Sequence, residues 1–218
     1  MSTEWYLTKP SYFSGYEKEE IEEVYGVFDE FLSQSPETYS VNVDGKSKDV
    51  IIQSTSNYNE RRVLFRENDL QWGDLIEFQN DKWLVTERPI NNRIHDKSHI
   101  KLCNNALAFK EIVREIIGRD PVGNPIYGDG EEVITEFPCV AESISDLNTR
   151  STTGEQINIP EGDMVLQITN TQDEKIEIGS TFEMYDNNYR ISGIDRSKVY
   201  MSKGILILVV SRDTNKNN

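Results

Sequence analysis

His95, His99 and Cys103 stand four residues apart in turn. On a helix that spacing would align two imidazoles and a thiol, the ligand types that zinc prefers. The flanking residues argue against a helix. Pro89, Asn91 and Asn92 mark a loop, and the alternation of Ile100 and Leu102 marks a strand running to Cys103. No metal centre is expected here. The chain also has no Gly-rich phosphate loop, no Gly-x-Ser-x-Gly elbow, no His-Glu-x-x-His and no Cys-x-x-Cys. Its only two histidines leave little for imidazole acid–base chemistry. Carboxylates are abundant, but nothing in the sequence gathers a pair of them into one pocket. The expectation is a protein that is not an enzyme, with no catalytic, cofactor or metal residues to assign.

Cys103 and Cys139 are too few and too isolated for a disulfide framework, and both read as reduced. Arg61, Arg62 and Arg66 form a small basic cluster, expected to pair with local carboxylates. The chain as a whole is strongly acidic: 38 Asp and Glu against 23 Lys and Arg give a net charge of −15 over 218 residues. Such a surface repels nucleic-acid phosphates. The longest apolar stretch, Ile205 to Val210, is strand-sized, so no membrane span is expected. The N-terminus lacks the basic and apolar regions of a signal peptide, which points to a protein made and used inside a cell.

The elements that carry these residues are mainly β. A hairpin pattern occurs twice, Trp72 to Glu87 and Ile178 to Gly193, and the copies align without a gap at an offset of 106 residues. Gly73 matches Gly179, Glu77 matches Glu183, Phe78 matches Met184, Trp83 matches Tyr189 and Val85 matches Ile191. Each copy reads as a glycine turn, a short strand, a polar turn and a returning strand with alternating large apolar residues. Trp83 and Tyr189 are expected to be equivalent core aromatics. The fold class that follows is two small β-barrel or sandwich-like units related by an internal repeat, preceded by one amphipathic helix. Ile21, Val24, Tyr25, Phe28, Phe31 and Leu32 give that helix one apolar face over 17–34.

The expected organisation is an N-terminal arm and helix over 1–39, a first β unit over 40–128, a second over 129–211 and a disordered tail over 212–218. Asp129-Gly130 is taken as the seam, with a long polar loop over 146–162. Asn104 to Gly118 fits a helix or one arm of a hairpin, and the following Pro121-Val-Gly-Asn-Pro125 favours a protruding hairpin with its tip near Val122 to Asn124. The aromatic arm and this hairpin are too apolar or too long for a lone monomer. Candidate subunit-interface residues are therefore Trp5, Tyr6, Tyr12 and Phe13 in the arm and Pro121, Val122 and Asn124 at the tip.

Five stretches carry a resemblance: Trp83 to Glu87, Ile100 to Phe109, Phe137 to Glu142, Tyr189 to Asp195 and Gly204 to Leu208. Over residues 45–210 the chain resembles structural proteins of tailed bacteriophages of Gram-positive bacteria, in which a strand ending in Cys-Asn, a Leu-x-aromatic pair and a Pro-Cys turn recur. The resemblance implies a virion protein of the neck, a head-completion or head–tail joining ring between portal and tail, assembled in the host cytoplasm. Its implied partners are further copies of itself and neighbouring portal, adaptor and tail proteins. DNA would pass the acidic ring unbound, and no membrane is involved. The residues 110–130 depart from the resemblance as an insert. The alternative reading is a binding or adaptor module of a non-viral assembly.

Overall fold

A computed structural model describes residues 26–114, 116–119, 121–143 and 163–213. The chain divides into two compact units, Met1–Leu102 and Cys103–Asn218. Among the described residues each unit is built on a closed, antiparallel, six-stranded barrel.

In the first unit the strands are β1 (Thr38–Val43), β2 (Lys46–Ser54), β3 (Glu60–Phe65), β4 (Leu75–Phe78), β5 (Asp81–Val85), the short β6 (Ile90–Asn91) and β7 (Asp96–Leu102). The barrel runs β3-β2-β1-β4-β5-β7 and closes where β7 pairs with β3. The sequence dictates which side faces inward. Val41 and Val43, Val50 and Ile52, Val63 and Phe65, Ile76 and Phe78, and Trp83 and Val85 recur at period two and fill one core. The helical residues 26–34 lie on the outside, where Phe28 and Leu32 pack with Ile51 of β2 and Leu64 of β3. Burying each such side chain contributes about 1.5–3 kcal/mol. Thr38 donates its hydroxyl to the Leu32 carbonyl at 2.7 Å, satisfying one of the orphan acceptors at the helix end.

The second unit comprises β8 (Asn105–Val113), β9 (Ile116–Arg119), β10 (Pro125–Tyr127), β11 (Glu131–Ser143), β12 (Met164–Thr169), β13 (Thr181–Met184), β14 (Asn187–Asp195), β15 (Val199–Tyr200) and β16 (Lys203–Arg212). Its barrel runs β12-β11-β8-β13-β14-β16 and closes where β16 pairs with β12. With β9, β10 and the stubs β6 and β15 set aside, the order of first to sixth strand is the same in both units, so the repeat extends to the whole barrel topology.

The two motif copies are equivalent hairpins at the level of hydrogen bonds. Ile76 faces Trp83 and Phe182 faces Tyr189; Phe78 faces Asp81 and Met184 faces Asn187. Gly73 donates to the Val85 carbonyl at 3.0 Å, and Gly179 to the Ile191 carbonyl at 2.8 Å. Both glycines sit at positive φ, 86° and 95°, which explains why the motif keeps glycine at that point. The two turns, Gln79-Asn80 and Tyr185-Asp186, have both residues at positive φ. That is the geometry whose twist suits a two-residue hairpin. Leu70 and Ile176, also 106 residues apart and both buried, carry the repeat back beyond the hairpins.

Several expectations need correction. The seam is at Leu102–Cys103 and not at Asp129-Gly130, because β8 pairs with β11 from Val113↔Glu131 to Cys139↔Asn105 and so belongs to the second barrel. The protruding hairpin moves with it. Pro138-Cys139 is not a turn: Pro138 lies within β11 opposite Ala106. At that point β11 has β8 beside it but not yet β12, whose pairing begins at Val140, and an edge position tolerates the missing N–H. The strand that closes the first barrel begins at Asp96, so His95 ends the loop and His99 lies in β7. Arg212 belongs to β16. The aromatic arm, the earlier part of the expected helix, the 146–162 loop and the tail beyond Asp213 lie outside the described residues.

Candidate functional site

Past Phe109 and Thr135 the β8–β11 pair leaves its barrel. Every described residue from Lys110 to Ile134 is exposed except Gly118 and Gly128, which are half-buried. The pair continues as β9–β10, with Ile116 opposite Tyr127 and Arg119 opposite Pro125, and turns at 121–124. The outgoing side of this arm holds eight strand residues, 110–113 and 116–119, about 26 Å of extended chain. Pro121, Val122 and Asn124 are at its tip, and Gly123 takes a φ of 93° there.

The arm is apolar for something so exposed. Ile112, Val113, Ile116 and Ile117 lie on its outgoing strand, Ile126, Tyr127, Val133 and Ile134 on its return, and Val122 at the tip, all large hydrophobics in contact with solvent. Near the barrel, register sets an apolar residue opposite a charged one at each step: Ile134 faces Lys110, Val133 faces Glu111, Ile112 faces Glu132 and Val113 faces Glu131. Successive pairs point to opposite sides of a ribbon, so neither face is wholly polar. Ile112 and Arg114 lie across Gly130, where an added Cβ would come within 2.2 Å of the Ile112 Cγ2. A two-stranded ribbon with no third strand is at best marginally stable in water.

The root of the arm is anchored by charge. Lys110 pairs with Glu183 of β13, and Lys175 with Glu111 at 3.3 Å. The Lys110 ammonium, hydrogen-bonded to Glu183, is held above its ordinary pKa by that contact. Glu183 is the motif partner of Glu77, and Glu77 does the same job in the first barrel by accepting from the Asn42 amide of β1 at 2.9 Å. The motif glutamate is thus a clip between the fourth strand and the first. Its conserved spacing within the repeat is visible in the sequence, but its partner is not, because it comes from a strand 35 residues earlier in one unit and from the arm's root in the other.

A second surface lies on the first barrel. Val27, Phe28 and Phe31 of the helical segment face Ile94 and His95 across a hollow of about 300 Å³ that Glu30 and Gln34 also line. Val27 and Phe31 are exposed. The His95 ring stacks on Phe28 at 5.0 Å between centroids, and burial, with Lys97 adding, holds its pKa below the ordinary value. His99 instead meets the Glu87 carboxylate at 2.7 Å. The two histidines thus meet different partners and are not brought together as a ligand pair. No cluster of three or more His, Cys, Asp or Glu side chains suited to a metal ion occurs among the described residues.

Trp83 is buried in the first core and Tyr189 in the second, each two residues before its buried partner, Val85 or Ile191. Arg61 lies over the Trp83 ring at 5.8 Å and donates to the Ser54 hydroxyl, while Arg66 pairs with Asp29 at 2.6 Å. Neither Cys103 nor Cys139 forms a disulfide. Burial, with Cys103 nearby as a smaller cause, pushes the Cys139 pKa up to about 12. No described helix is long and apolar enough to cross a membrane.

Comparison with known proteins gives the same two-part division. Residues 16–102 match the YomX N-terminal domain and residues 90–211 the YomX C-terminal domain. The chain is 31% identical over 185 residues to the "SPbeta prophage-derived uncharacterized protein YomX" of Bacillus subtilis (strain 168), an alignment covering 81% of this chain and 83% of that protein. No solved structure gives a significant match. The two domain matches follow one another along the chain as the two barrels do, and on them and the identity to the prophage protein the chain belongs to the YomX family.

Proposed function

We propose that this chain is a structural subunit of a tailed-phage particle, a self-associating ring component of the neck between portal and tail, and that it works by assembly and not by catalysis. The observation that carries this reading is the family membership, since the relative is by its name prophage-derived. The architecture accords with it. Among the described residues two closed barrels leave few open strand edges, and half of the exposed large hydrophobics lie in an arm suited to gripping a neighbour. A net charge of −15 suits a ring through which DNA slides without sticking.

The reading is tested in a lysogen carrying the gene. Its deletion should yield filled heads and complete tails that fail to join, and a tagged copy should map to the neck by electron microscopy of purified particles. Particles that join normally without the protein, or that never contain it, would overturn the proposal.

A further inference from the structure

We infer that the arm formed by β8–β11 and β9–β10 binds a second copy of this chain, edge to edge and head to tail, the outgoing strand of one arm lying beside the return strand of the next. The inference rests on the reading of the chain as an assembly subunit and names the contact that reading requires. Three observations point to it.

The first is the open backbone. Among the described residues β9 and β10 pair only with each other, and beyond its Ala108 contact with Glu183 the outgoing strand pairs only with the return strand. Both outer edges therefore offer ladder positions to a further strand, the situation in which strand addition occurs. The second is the side-chain chemistry. Ile116, Ile117, Ile126 and Tyr127 are exposed and mostly β-branched or aromatic, residue types that gain most from cross-strand neighbours.

The third selects the occupant. The two edges differ in charge. In sequence, 110–120 holds Lys110, Arg114 and Arg119 among Glu111, Glu115 and Asp120. The return strand carries Asp129, Glu131, Glu132 and Glu136 and no cation. Two return edges side by side would set only like charges about 5 Å apart, whereas outgoing against return brings Arg114 and Arg119 toward carboxylates. A contact between unlike edges uses both edges of each copy. It therefore propagates from copy to copy, and it closes into a ring where the rotation allows.

The test uses two full-length charge reversals, R114E/R119E on the outgoing strand and E131K/E132K on the return. Both lie outside the barrel cores, and unchanged unfolding transitions would confirm that each variant folds. By light scattering at high concentration, wild type should form oligomers and each variant alone should be monomeric. An equimolar mixture should recover assembly, because each reversed edge then meets its complement. Amide exchange in the arm should slow on association in wild type and in the mixture. A monomeric wild type, self-association of either variant alone, or failure of the mixture would each overturn the inference. Failure here with normal incorporation into particles would leave the neck reading standing. Restored pairing in a protein that never enters particles would sink the neck reading and leave the arm contact intact.

Discussion

Trp83 fills the first barrel as Tyr189 fills the second, but its indole Nε1 is buried without a hydrogen-bond partner. A buried donor left unmade costs about 1–3 kcal/mol. The ring volume and the N–H therefore act in opposite directions, and two substitutions separate them. Trp83→Ala and Tyr189→Ala should each cost about 3–5 kcal/mol, the usual loss for a large buried aromatic. Trp83→Phe keeps most of the packing and removes the orphan donor, so its net change in denaturant unfolding should be within about 1.5 kcal/mol. At His95 the sign follows from burial against Phe28. The folded-state pKa is below the ordinary 6.5, so the folded state binds fewer protons than the unfolded one. Stability at this site is complete above pH 6.5 and declines as pH falls from there toward the lowered value. Lys97 reinforces this and Asp96 opposes it. His95→Phe preserves a stacked ring without a titrating group, and thermal melts across this window should lose that part of their pH dependence.

Tyr185 holds a φ of 50°, a region that costs a non-glycine L-residue roughly 1–2 kcal/mol and that asparagine tolerates better. Tyr185→Asn, on an exposed side chain, should raise the unfolding free energy of the second barrel by about 0.5–1 kcal/mol without altering the register at Met184↔Asn187. The two motif hairpins were the most legible part of the sequence, since a glycine turn, a polar turn and alternating apolar residues are local signals. The boundary between the barrels was not. Only Cys103 and Asn104 separate β7 from β8, and between the alternating pairs Ile100, Leu102 and Leu107, Phe109 the phase slips by one residue with no Gly or Pro to mark the break. Asp129-Gly130 has turn composition yet only leads into β11 within the arm, where Gly130 makes room for Ile112. Closure of each barrel was illegible for a different reason: β3 with β7 and β12 with β16 pair across long sequence separations, which no local pattern encodes. The arm's tip could be placed from its prolines and glycine, but the two open edges and their unlike charges emerge only once the register is known.

At the scale of the molecule, each barrel closes its own hydrogen-bond ladder and fills its own core. Residues 1–102 and 103–218 expressed separately should therefore each unfold cooperatively, as calorimetry would show. A cut at 128/129, which severs β8 from β11, should leave the second barrel unable to fold. The arm is the feature that the repeat does not repeat. It interrupts the link between the first and second strands of the second barrel, whereas in the first barrel the same link is the tight Asp44-Gly45 turn. Any closed assembly of n copies accordingly holds 2n barrels of one topology but only n arms. Contacts made through the arms therefore number n, whereas a surface feature that both barrels share would occur 2n times.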